Sequence, residues 1–203
     1  MATVTPNYSW PVPTSTDLVK DGATAIEALG DAIDATVFAL PSGGLTLINT
    51  TSFSGVASQS VNDVFSATYT NYVLFINTTM DSGNVGMNLR YRVAGSDNST
   101  SNYNNQTNEI NNTALNAERL TGQTIHSLNF RSGTPHNGVV HIFNPFATAK
   151  TFALVNLATV QGDTPFNNFA MLNFGATTSF TGYTLIPVSG NFTGSVSTYG
   201  VAK

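Results

Sequence analysis

The sequence predicts a mainly β protein: an antiparallel β-sandwich, jelly-roll-like head preceded by an extended N-terminal arm and one α-helix. Three observations carry that reading. Val85, Met87, Leu89, Tyr91 and Val93 alternate with Asn84, Gly86, Asn88, Arg90 and Arg92, the period of a strand with one dry and one wet face. Short apolar runs recur through residues 45–203, separated by Gly, Asn, Ser and Pro clusters, as in sandwiches and barrels. Helical periodicity occurs only near the N-terminus, so strands and helices do not alternate and a parallel α/β fold is excluded.

Composition agrees. The chain has 203 residues, 41% hydrophobic but only 9% charged, against about 25% charged in ordinary soluble domains. Uncharged amides and hydroxyls replace the charge, and there is enough apolar material for a self-sufficient core. The formal net charge is -4, and Arg90 and Arg92 are the only close basic pair, so no nucleic-acid partner is expected. The absence of cysteine removes disulfides, thiolate metal sites and a thiol nucleophile. No run approaches the ~20 apolar residues of a spanning helix, so no membrane insertion is expected.

Taken in order, residues 1–16 form an arm. Pro6, Trp10, Pro11 and Pro13 favour extended or polyproline-like backbone over a helix or a paired strand. Its aromatic stretch either lies on its own chain or docks on a partner. Residues 17–40 carry the helix: Ile26, Leu29, Ile33, Val37 and Leu40 make one stripe, alanines supply propensity, and Asp17 or Asp21 is placed to cap the start. The stripe faces either the following domain or, the preferred reading, copies of itself in a short bundle. Residues 41–44 (Pro-Ser-Gly-Gly) form a hinge.

Residues 45–203 are the head. Besides 84–93, strands are expected over 45–51, 61–67, 72–78, 125–130, 139–144, 152–158, 169–174, 183–188 and 196–201. Residues 95–122 read as a long polar loop with one helical turn over 114–120. Asn102, Tyr103, Asn104 and Asn105 have amide and aromatic chemistry suited to a glycan, and equally suit an exposed loop or a subunit-packing one.

No catalytic constellation is visible. The Gly-X-Ser-X-Gly elbow and the phosphate-cradling loop are missing. Asp63, Asp81, Asp97, Glu109, Glu118 and Asp163 sit singly, in contexts that favour local turn hydrogen bonds over a glycosidase pair. His126, His136 and His141 lack the alternate spacing of a strand-borne metal pair. A symmetry axis uniting three copies of one histidine stays open. No catalytic or metal residue and no cofactor is therefore expected; a jelly-roll carbohydrate-active enzyme is the alternative from another class.

Residues 6–34, Pro-Asn-Tyr-Ser-Trp-Pro-Val-Pro-Thr-Ser-Thr-Asp-Leu-Val-Lys-Asp-Gly-Ala-Thr-Ala-Ile-Glu-Ala-Leu-Gly-Asp-Ala-Ile-Asp, resemble the N-terminal segment of tailed-bacteriophage virion proteins of the minor tail or short fibre type. Val-Phe-Ser-Ala-Thr-Tyr-Thr-Asn-Tyr-Val-Leu (64–74), Leu-Arg-Tyr-Arg-Val-Ala-Gly-Ser-Asp-Asn (89–98) and Gly-Asn-Phe-Thr-Gly-Ser-Val-Ser-Thr-Tyr-Gly (190–200) are similar to the same group more loosely. The resemblance implies a homotrimeric appendage, assembled in the host bacterial cytoplasm and carried on the virion. Tyr8, Trp10, Pro11, Val12 and Pro13 then match the particle-docking anchor, with other virion proteins as partners. Ile26, Leu29, Ile33 and Val37 match the trimer seam, and the head is expected to meet host-surface glycan. The stalk is shorter than in long fibres and shows no repeat, which keeps a capsid decoration or head-fibre protein as the alternative.

Overall fold

Near the N-terminus the chain reverses at Ser9, whose backbone enters the left-handed region (φ 55). That turn closes a hairpin between β1 (Thr3–Val4) and β2 (Pro11–Val12), held by Thr5 N–H to Trp10 O and Ser9 N–H to Thr5 O, both 3.0 Å. The expectation of an unpaired arm is thus corrected. A two-stranded ribbon consists of edges, where a proline's missing N–H breaks no central ladder.

The computed structural model describes residues 3–14, 18–39, 44–83, 85–111, 114–128 and 134–202. Met1–Gly43 and Gly44–Lys203 form two compact units. In the first, a 3-10 turn (Val19–Asp21) leads into α1 (Gly22–Ala39), and β2 packs on α1. Asp21 lies inside the 3-10 turn, and no side chain caps its start at Leu18; Asp17 and Leu40 lie outside the described residues. Ala25, Leu29, Ala32, Ile33 and Thr36 are half-buried, whereas Ile26 and Val37 are 65% and 58% exposed. At 100° per residue those two sit on the outer flank of the stripe. The four predicted seam residues are therefore split: one flank is covered, the other open.

The second unit builds two antiparallel sheets from β3 (Leu45–Val56), β4 (Gln59–Val61), β5 (Asn71–Met80), β6 (Met87–Val93), β7 (Ser96–Asp97), β8 (Tyr103–Asn111), β9 (Ala114–Gln123), β10 (His126–Ser127), β11 (His136–Phe143), β12 (Thr151–Gln161), β13 (Thr164–Phe174), β14 (Gly182–Pro187) and β15 (Phe192–Val201). The larger sheet has the order β3-β15-β5-β11-β12-β13-β8-β9, and the smaller β10-β6-β14-β4 with β7 beside β6. Tyr72, Leu74, Ile76, Val140, Ile142, Val155, Leu157 and Leu172 from the larger sheet meet Met87, Leu89, Tyr91, Tyr183 and Leu185 from the smaller in one buried core. The β-sandwich expectation is met.

Two buried tyrosines tie the core to the frame through their hydroxyls. Tyr183 Oη lies 2.8 Å from Thr198 Oγ1, linking β14 of one sheet to β15 of the other. Tyr72 Oη donates to Ser66 O at 2.9 Å and accepts from Ser66 N–H at 2.8 Å, pinning the loop after β4. That loop replaces most of the strand expected over 61–67, yet Val64 and Phe65 still fill the core. Of the strand expected over 125–130, only β10 is present among the described residues.

Residues 95–122 are not a loop, and no helical turn occurs over 114–120: β8 and β9 form a hairpin inside the larger sheet. In β8, Tyr103, Asn105, Thr107 and Glu109 point inward while Asn104, Gln106 and Asn108 stay half-buried on the outer face. Backbone ladders need no apolar side chains, so β13 on one side and β9 on the other recruit an amide-rich strand.

Candidate functional site

The residues singled out for glycan contact separate in space. Tyr103 is fully buried, its ring 4.9 Å from Phe174 and 4.7 Å from His126, and its hydroxyl donates to Asn98 O at 2.7 Å. Asn105 is buried too, with Oδ1 2.7 Å from His126 Nδ1. Tyr103 belongs to the core and cannot stack on a sugar; Asn105 spends its side-chain oxygen on His126 but still lines a cavity on the outer face. Asn102 spans a local turn, its Nδ2 donating to Thr100 Oγ1 at 3.2 Å while its carbonyl accepts from Gly175 N–H. Of the four, Asn104 is the one whose side chain reaches the outer face, donating from Nδ2 to Asn173 Oδ1 at 3.0 Å.

That outer face of the larger sheet can be read from register. Phe152, Asn173 and Asn104 lie in one cross-strand row; Leu154, Met171, Gln106 and Arg119 in the next; Asn156, Phe169, Asn108 and Ala117 in the third. Amides thus mix with apolar side chains, several of the latter well exposed: Leu154 (50%), Met171 (53%) and Phe169 (39%). A cavity of about 470 Å³ opens over the first two rows, lined by Asn104, Gln106, Arg119, Lys150, Phe152 and Asn173, among others. A neighbouring one of about 310 Å³ lies over the third row and contains exposed His141. The first falls within the size range of small-molecule pockets.

The cations sort themselves clearly. On the smaller sheet Arg92 is locked: it donates to Asn62 Oδ1 (2.8 Å), Ser60 Oγ (2.9 Å), Thr184 Oγ1 (2.9 Å), Asp97 Oδ1 and Gly95 O. Arg90 adds a 3.7 Å ion pair to Asp97 and a bond from Nε to Thr124 O at 3.0 Å. The basic pair noted in the sequence is thus a structural clasp for one carboxylate. Arg119 and Lys150 are exposed, and neither side chain has an ion-pair or hydrogen-bond partner among the described residues. Both line the same cavity, which no carboxylate lines among the described residues.

The histidines divide differently. His126 and His136 are fully buried, and burial alone pushes their imidazoles down to about 3 and about 4. His141 is exposed in β11. Among the described residues no three His, Asp or Glu side chains gather as metal ligands. Asp63 occupies a left-handed turn (φ 55), Asp81 accepts from Thr193 Oγ1 at 3.3 Å beyond β5, and Asp163 sits in the β12–β13 turn. Glu109 is buried on the inner face of β8, and Glu118 lies on β9.

In the N-terminal unit Trp10 stacks on Tyr8 (centroids 5.2 Å apart) and donates from Nε1 to Thr36 Oγ1 at 2.8 Å. Tyr8 stays 55% exposed, and Pro11, Val12 and Pro13 are half-buried. The residues expected to form the anchor therefore sit on one small hairpin beside α1. No helix among the described residues is long and apolar enough to cross a membrane.

Of the residues lining this cavity, sequence reasoning found Asn104 and Asn105 but missed Gln106, Arg119, Lys150, Phe152 and Asn173. The available signal was that Arg119 and Lys150 are isolated cations in a charge-poor chain; only strand order unites them. The chain matches no family model, and no curated protein is detectably similar to it.

Proposed function

We propose that this chain is a non-enzymatic appendage of a bacteriophage particle, of the tail-fibre or minor-tail type. Its N-terminal unit docks on the virion, and its β-sandwich head attaches to host-surface glycan. One observation carries the docking half: no described side chain of residues 4–39 is buried. A hairpin and one helix with no buried side chain fall short of the core a stable fold needs. Its open flank, with Ile26, Val37 and Tyr8, asks for a partner, and copies of itself around a threefold axis together with the particle supply one. The outer-face cavity, with its amides and exposed apolar side chains, supports the attachment half. The word phage rests on the resemblance of residues 6–34.

Antibody-gold labelling of intact particles in negative stain tests the reading. Gold confined to the tail is the expected result. Gold over the head makes the protein a capsid decoration, and unlabelled particles overturn the virion assignment. For the bundle, light scattering of full-length protein is expected to give a trimer mass that Ile26→Asp with Val37→Asp lowers. A monomer in both cases removes self-association. Polysaccharide cleavage abolished by replacing Asp63, Asp97 or Asp163 would instead identify an enzyme.

A further inference from the structure

We infer that the cavity over β12, β13, β8 and β9 binds an anionic oligosaccharide, one whose sugars carry carboxylate or phosphate groups. The inference rests on the glycan-attachment reading and specifies its ligand class. The unit spends its other described cations, Arg90 and Arg92, on Asp97, whereas Arg119 and Lys150 stand exposed, unpaired and on the same cavity wall. In a chain of net charge -4, leaving two cations together without a carboxylate creates a local field opposite to that of the molecule. A neutral glycan gains only hydrogen bonds to its hydroxyls there; an anionic one gains stronger charge-assisted bonds, with Arg119 able to take a carboxylate or phosphate in a two-pronged fork.

The geometry fixes the ligand's extent. Lys150 directly precedes β12 and Arg119 lies on β9, three strand spacings away in the order β12-β13-β8-β9, about 14 Å. An oligosaccharide lying across these four strands meets the cation at either side of the cavity. Between the cations, the amides of Asn104, Gln106 and Asn173 face the hydroxyls, and half-exposed Phe152 (37%) offers a ring to a sugar face.

Titration calorimetry on the full-length protein tests this with three probes: oligogalacturonate (carboxylate), a glycerol-phosphate oligomer (phosphate) and a neutral dextran oligosaccharide. At least one acidic probe is expected to bind, at least tenfold tighter than dextran. Arg119→Gln with Lys150→Gln is expected to weaken it tenfold or more at unchanged melting temperature, and added salt to weaken it further. The two acidic probes separate the carboxylate and phosphate sources. Equal binding of dextran, or acidic binding indifferent to the double substitution, overturns the anionic inference while the glycan reading survives. No binding of any probe, followed by no binding on an array of bacterial surface glycans, overturns both.

Discussion

His126 shows at residue scale how burial sets charge. Its Nδ1 faces Asn105 Oδ1, its ring lies edge-on to Tyr91 and Tyr103, and Nε2 has no hydrogen-bond partner among the described residues. The imidazole is held neutral, down at about 3, and His136 at about 4, against 6.5 in the unfolded chain. Below pH 6.5 the unfolded state binds protons the folded state refuses, so stability is complete above 6.5 and falls as pH drops towards those values. Between pH 6.5 and 5 each histidine is expected to remove about 2 kcal/mol, read as a lower urea midpoint; a flat midpoint there would mean the rings are not buried. Gly138 makes a steric counterpart. A Cβ there would lie 2.1 Å from Asn156 O, so Gly138→Ala is expected to cost about 1–3 kcal/mol in the same assay.

At the scale of elements, the β8–β9 hairpin changes what the Asn-rich segment means. Its side chains look like turn formers one by one, but β8 is bonded on both edges, Thr107 opposite Ala170 on one side and Glu118 on the other. Amide hydrogen exchange is therefore expected to show protection over residues 105–109 comparable to β12 and well above the β12–β13 turn. Fast exchange throughout 103–123 would restore the loop. The alternation Tyr103, Asn105, Thr107, Glu109 was present in the sequence, but its inward residues are mostly polar, so hydrophobic periodicity could not report it. By contrast, β6 announced itself because Met87, Leu89 and Tyr91 are all apolar and all buried.

At the scale of the whole molecule, the two units differ in what holds them. The head has a continuous core; in the N-terminal unit no described side chain is buried. Trp10, the single tryptophan, lies in the latter and bonds to Thr36. Its fluorescence is expected to change at lower urea than the far-ultraviolet signal of the strands, giving two transitions in dilute protein. Coincident transitions would show one cooperative unit.

By itself the sequence determined the helix, from alanines and a 3.6-residue stripe, and the sandwich, from alternation in strands such as β6. These are local properties, and each is written in neighbouring residues. Only tertiary structure decided that Tyr103 and Asn105 are core, that Arg90 and Arg92 are consumed by Asp97, and that Arg119 and Lys150 share a cavity. Those outcomes depend on which strands become neighbours. Pairing between β13 and β8 joins segments roughly sixty residues apart through backbone hydrogen bonds that every residue type offers alike. Side-chain patterns along the chain carry little information about that choice; the packing of the whole sheet makes it.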